Sequence, residues 1–164
     1  MKSVHDFVVT PKGERYNNTK QLDGGELILN TEIYNHQFVN REATVTSTPL
    51  VGHAEIMAGD TVLVHHNVFR RWHNVKGIEK NSRSYFDDTT YFIGEDQIFL
   101  YKRDGEWICP KGYCFVMPLK AVDQFNTESE KPLQGIVKYS DGTVEVSDLV
   151  GFRPSSEYEF IVDG

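Results

Sequence analysis

Ala58-Gly59-Asp60-Thr61-Val62-Leu63-Val64 sets a small, acidic turn directly against a β-branched apolar run. Such a run suits a pleated, half-buried surface, so the stretch reads as a turn leading into a strand. The same kind of signal recurs outward from it. Phe7-Val8-Val9 is a short apolar run ended by Pro11, and Ala43-Thr44-Val45-Thr46-Ser47 alternates as a half-buried strand does. Gly25-Glu26-Leu27-Ile28-Leu29 follows a polar, turn-rich stretch from Tyr16 to Gly24. Tyr91-Phe92-Ile93 and Ile98-Phe99-Leu100-Tyr101 are split by Gly94-Glu95-Asp96. No segment keeps the i, i+3, i+4, i+7 apolar spacing for three turns, so the expected class is all-β, as a barrel or sandwich.

The order of these signals repeats. Phe7-Val8-Val9-Thr10-Pro11-Lys12 is echoed by Phe115-Val116-Met117-Pro118-Leu119-Lys120, and Ala43 to Thr46 by Gly135 to Lys138. Ala58 to Val64 corresponds to Val146-Ser147-Asp148-Leu149-Val150-Gly151-Phe152, with a turn aspartate before an apolar strand in both. Trp72 to Gly77 is set against Glu159 to Gly164. Two tandem copies of one small β-fold are expected, over 1–106 and 112–164. The second copy is abbreviated. Its first connection, Ala121 to Gln134, is short and polar with no apolar cluster beyond Phe125, and at its end no counterpart of Tyr91-Phe92-Ile93 through Leu100 is expected in the sequence as given. A further strand, from a neighbour or from residues beyond Gly164, is expected to complete it.

With 164 residues, 39% hydrophobic and 25% charged, the chain is of globular composition. No run approaches the apolar length that crosses a bilayer, and the N-terminus lacks the pattern of a secretion signal, so a cytoplasmic location is expected. A formal charge of -7 disfavours nucleic acid and anionic membranes as partners. Its exception is a basic island, Arg70-Arg71 with Lys76, among histidines and aromatics.

The first copy resembles a GroES-type co-chaperonin subunit. Val4-His5-Asp6-Phe7-Val8-Val9 is similar to the family's opening strand, and Gly24-Gly25-Glu26-Leu27-Ile28-Leu29 to the Gly-Gly and apolar tripeptide of its mobile loop. Arg41 to Val45, Ala58 to Val64 and Glu95 to Leu100 look like its later strands, in the same order. The resemblance implies two tandem GroES-like β-barrels, the first with a mobile loop at about 13–40. Gly24, Gly25, Leu27, Ile28 and Leu29 would be the chaperonin-binding residues. It also implies a seven-fold homo-oligomeric ring that caps a GroEL-type chaperonin and assists protein folding. In such a ring, Phe7, Val8, Val9, Ile98, Phe99 and Leu100 would form the subunit interface. A reduced segment between Pro49 and Met57, similar to phage-encoded members, and a longer one from His65 to Thr90 depart from the family. Tandem copies resemble plastid members, but no transit-peptide pattern is seen, so a phage-like or bacterial form working in the (host) cytoplasm is expected. The alternative is a structural or virion-associated β-barrel module without chaperonin binding.

Periodicity alone reads Leu27-Ile28-Leu29 as a buried strand; the two glycines before it and the resemblance make it a binding tip. His65 and His66 on one strand would point to opposite faces and His73 completes no zinc spacing, so no metal is expected. Ser82 and Ser84 lack a spaced His-Asp pattern and no phosphate-binding glycine loop is present, so the chain reads as a non-enzyme without cofactor. Cys109 and Cys114, split by Pro110 and Gly112, read as free thiols in a linker. Phe69-Arg70-Arg71-Trp72-His73 reads as a contact surface.

Overall fold

The computed structural model describes residues 1–16, 19–22, 25–28, 38–52, 55–120, 130–156 and 158–162, giving the backbone for 19–22, 25–28 and 130. The chain divides into two compact units, Met1–Trp107 and Ile108–Gly164. Among the described residues the regular elements are strands and 3-10 turns, of which Glu95–Gln97 is described whole.

The first unit contains β1 (Phe7–Pro11), β2 (Thr19–Leu22), β3 (Gly25–Ile28), β4 (Glu42–Ser47), β5 (Thr61–Val64), β6 (Arg71–His73), β7 (Glu79–Asn81), β8 (Tyr85–Asp87), β9 (Thr90–Ile93), β10 (Ile98–Arg103) and β11 (Glu106–Ile108). Seven of them form one sheet in the order β11-β10-β5-β4-β1-β9-β8, while β2 pairs with β3 and β6 with β7. Alternation sets the inner face: Ala43 and Val45 on β4, and Tyr91 and Ile93 on β9, are buried between more exposed neighbours. They join Phe7, Val9, Val62 and Val64 in one core. Asp104 and Gly105, with φ of 52° and 89°, make the tight turn between β10 and β11, where the Asp-Gly pair suits two left-handed positions.

The link from β9 to β10 shapes this sheet. Those strands stand four places apart in the sheet order, about 19 Å if the sheet were flat. Five residue steps, Ile93 to Ile98, reach about 17 Å even when fully extended. The 3-10 turn within them shortens that further. The sheet must therefore curl until its two halves face each other, which is why Tyr91, Ile93, Val64 and Ile98 share a core. Its ends, β8 and β11, are not paired with one another, so the sheet curls without closing, and among the described residues no sheet closes into a barrel.

The second unit has β12 (Cys114–Lys120), β13 (Glu130–Ser140) and β14 (Leu149–Gly151) in one antiparallel sheet. Its pairing repeats that of β1, β4 and β5. In the first unit the register runs Val8↔Ser47 and then Val9↔Val45 across a bulge; in the second it runs Phe115↔Tyr139 and then Val116↔Val137 across the same bulge. Ala43↔Val62 matches Gly135↔Val150. The Val45 N–H donates to the Asp60 carbonyl at 2.9 Å, and the Val137 N–H to the Asp148 carbonyl at 2.9 Å. Gly59 N–H donates back to Val45, as Ser147 N–H does to Val137. One detail of the expected repeat is corrected. Val8 matches Phe115, not Val116, because the bulge fixes the pairing one residue away from the echo in the letters. Nor do the described residues 158–162 form a strand like β6, so the match of Trp72 with Glu159 has no counterpart here.

Candidate functional site

Residues 12–41 are inserted between β1 and β4, two strands that pair directly with each other. Within the insertion β2 and β3 form an antiparallel hairpin, with Thr19 opposite Ile28, Lys20 opposite Leu27 and Leu22 opposite Gly25. Gly25, Leu27 and Ile28 of the expected tip therefore lie on β3, while Gly24 and Leu29 fall outside the described residues. The strand that periodicity indicated is present as the second arm of a hairpin.

The base of this insertion is fixed by a dense set of contacts. Tyr16 and Val39 form an isolated antiparallel bridge, and both are buried. Asn40, 4% exposed, donates from Nδ2 to the Lys12 and Glu14 carbonyls at 3.0 Å each and accepts from the Glu42 N–H at 2.9 Å. A buried amide so satisfied holds the two ends of the insertion together, and losing it would strand those partners. Lys12 and Glu42 add an exposed ion pair at 2.9 Å. On the other side, the Tyr16 hydroxyl accepts from the Arg71 N–H at 2.8 Å, under the Arg71 guanidinium 5.1 Å from its ring. Arg15 donates from Nε and Nη2 to the Phe69 carbonyl and lies 5.3 Å from the Tyr85 ring and 5.7 Å from the Tyr91 ring. Burial pushes the Tyr91 phenol up to about 12, so it stays neutral beside that arginine. The segment 69–71 thus serves as the wall against which the insertion is anchored.

Sequence reading did not find Tyr16, Asn40 and Arg15 as anchors. They are separated from their partners by up to 55 positions, and no local spacing signals the contact. The basic island it did find is divided: Arg71 is taken up by Tyr16 and by Glu79, at 3.6 Å, while Arg70 faces elsewhere.

The residues expected at a subunit interface are placed differently from that expectation. Phe7, Val8, Val9, Ile98 and Leu100 are at most 3% exposed, and β1 and β10 both lie inside the sheet order. Only Phe99 of the six keeps partial exposure. Phe7, Val9 and Ile98 belong to the unit's core cluster, as side chains this buried usually do.

His65 and His66 also depart from the reading. The strand ends at Val64, a turn closed by Val68 N–H on the His65 carbonyl begins, and the two rings stack at 4.3 Å. Burial first, and Arg41 second, lower the His65 pKa. Among the described residues no three His, Cys, Asp or Glu side chains cluster as a metal site would require. Cys109 and Cys114 are free thiols; Cys109 is buried, donates to the Tyr113 carbonyl at 3.1 Å, and is pushed up to about 12 chiefly by burial. A thiol so held is a poor nucleophile.

A scan against protein-family models, a search of curated proteins and a search of solved structures each found no match for the chain.

Proposed function

We propose that the chain is a subunit of a ring-forming co-chaperonin, built from two GroES-like units with the second abbreviated, that caps a chaperonin during ATP-dependent protein folding. The observation that carries this reading is the Thr19–Ile28 hairpin, held out of the sheet on a base clamped by Tyr16, Val39 and Asn40. A binding element fixed at its root and free of the sheet ladder can change shape without disturbing the fold.

The energetics suit a lid that must leave. Burying Leu27, Ile28 and Leu29 in an apolar groove would yield about 1.5–3 kcal/mol each. Ordering the insertion offsets much of that, so one subunit binds weakly and a ring binds tightly but reversibly. In the second unit the matching connection is residues 121–129, too short and polar to carry the same tip, so each chain would offer one contact. Because the strands first expected at the subunit boundary are interior, ring contacts would run through the open sheet edges at β8 and β11.

The deciding experiment is capture of the full chain on a chaperonin ring with and without ATP. ATP-dependent capture supports the lid. A chain that assembles with itself and is captured under neither condition is instead the structural or virion-associated module.

A further inference from the structure

Arg70 and Arg83 line one cleft of about 580 Å³ in the first unit, with Trp72, Asn67, Ser84 and Gln97 around them. None of the described residues lining it is acidic. The division of the basic island explains how it arises: Arg71 turns toward Tyr16, whereas Arg70 and Trp72, one position to either side, both face the cleft. Among the described residues neither Arg70 nor Arg83 has an ion pair, and the Arg70 Nε–H is buried without a hydrogen-bond partner. A guanidinium nitrogen withdrawn from water stays costly until an acceptor oxygen reaches it. Two cations sharing a cleft with no carboxylate also repel each other, and one anion between them relieves both problems.

We infer that this cleft binds a small phosphorylated molecule carrying a planar ring, with phosphate oxygens on Arg70 and Arg83 and the ring against Trp72. Phosphate is favoured because the planar guanidinium fork matches its oxygens two at a time. Trp72, 37% exposed, leaves part of its indole accessible at the cleft, where a flat ring could stack. The volume falls within the range of about 300–1,000 Å³ usual for small-molecule sites. Asn67, Ser84 and Gln97 add neutral donors and acceptors for the rest of such a ligand. Long nucleic acid is disfavoured, because it needs basic surface well beyond one cleft and the chain carries a net charge of -7.

The test is calorimetric titration of the full chain with ADP, inorganic phosphate and adenosine, repeated on Arg70→Gln, Arg83→Gln, Trp72→Leu and Lys76→Gln. Lys76 belongs to the same basic island but does not line the cleft. ADP should bind saturably and more tightly than phosphate or adenosine. Each arginine variant should weaken it about tenfold or more, as loss of a charged hydrogen bond does. Trp72→Leu should bring ADP down toward phosphate alone, and Lys76→Gln should leave it unchanged. Equal loss in Lys76→Gln and the arginine variants would mean diffuse charge attraction and would overturn the site. Absence of saturable ADP binding up to millimolar concentration overturns it as well, and phosphate binding as tightly as ADP overturns the role of Trp72. If an arginine variant does not fold, amide shifts in the unsubstituted protein decide: ADP must move Ser84 and Gln97, and shifts confined elsewhere refute the assignment.

Discussion

Arg103 lays its guanidinium across Asp60, with Nη2 2.6 Å from Oδ2 and Nε 2.9 Å from Oδ1. The same carboxylate accepts from the Met57 N–H at 2.8 Å, closing the turn that leads into β5. Burial alone would raise its pKa; the hydrogen bonds from Arg103 and Met57 outweigh that and hold it below the ordinary carboxylate value. Asp148, its counterpart in the second unit, is exposed and has no ion pair among the described residues.

Replacing Asp60 by Asn should therefore destabilise the first unit by about 1–3 kcal/mol at neutral pH, read by urea unfolding. A lowered native pKa contributes stability above the unfolded value and loses it as pH falls through the native one. The gap between Asp60→Asn and the unsubstituted chain should narrow below about pH 4. A gap that stays constant down to pH 2 would show that the charge of Asp60 is not what stabilises the turn.

The double variant Leu27→Asp with Ile28→Asp should abolish ATP-dependent chaperonin capture. Far-ultraviolet circular dichroism and the thermal midpoint should be nearly unchanged, because among the described residues β2 and β3 pair only with each other. Retained capture would remove the hairpin from the contact.

Tyr16→Phe removes the acceptor for the Arg71 N–H at the anchored base. An orphaned, partly buried amide costs about 1–3 kcal/mol. Hydrogen exchange at Arg71 should accelerate far more than exchange in β4. Uniform acceleration across the unit would mean that the base does not open separately.

Gly59 and Ser147 occupy equivalent turn positions with φ of 97° and 78°. Left-handed backbone costs a residue with a side chain about 1–2 kcal/mol, and glycine far less. Ser147→Gly should raise the stability of the second unit, whereas Gly59→Ala should lower that of the first. Circular dichroism melts of the two variants should move in opposite directions.

The exposed Cys114 should react with iodoacetamide in the native chain, while Cys109 should react only on unfolding, since its thiol is buried and poorly ionised. Peptide mass mapping before and after denaturation distinguishes them. Early labelling of Cys109 would contradict its burial.

The core strands were legible: β1, β5, β9 and β10 are apolar runs of Val, Ile, Phe and Tyr beside turns, and β4 alternates as a half-buried strand does. The correspondence of Asp60 with Asp148 was legible too, from a turn residue before a strand. The one-residue offset between Val8 and Phe115 was not, because a bulge leaves no mark in composition. Short strands such as β6, β7 and β8 escaped for a related reason. Glu79-Lys80-Asn81 has no strand-like pattern and is ordered by its pairing with Arg71-Trp72-His73. At the site, Leu27 and Ile28 were readable as apolar letters, whereas Asn40 and Tyr16 act through contacts that only the folded chain makes.

Tyr16 and Val39 join the two ends of the stretch between them, so its length enters the fold as the entropy of closing a loop. Closing a loop twice as long costs only about 0.6 kcal/mol more. Its length can thus change at little expense to the core. On the proposed reading, rewriting this one loop would retarget the protein to a different partner.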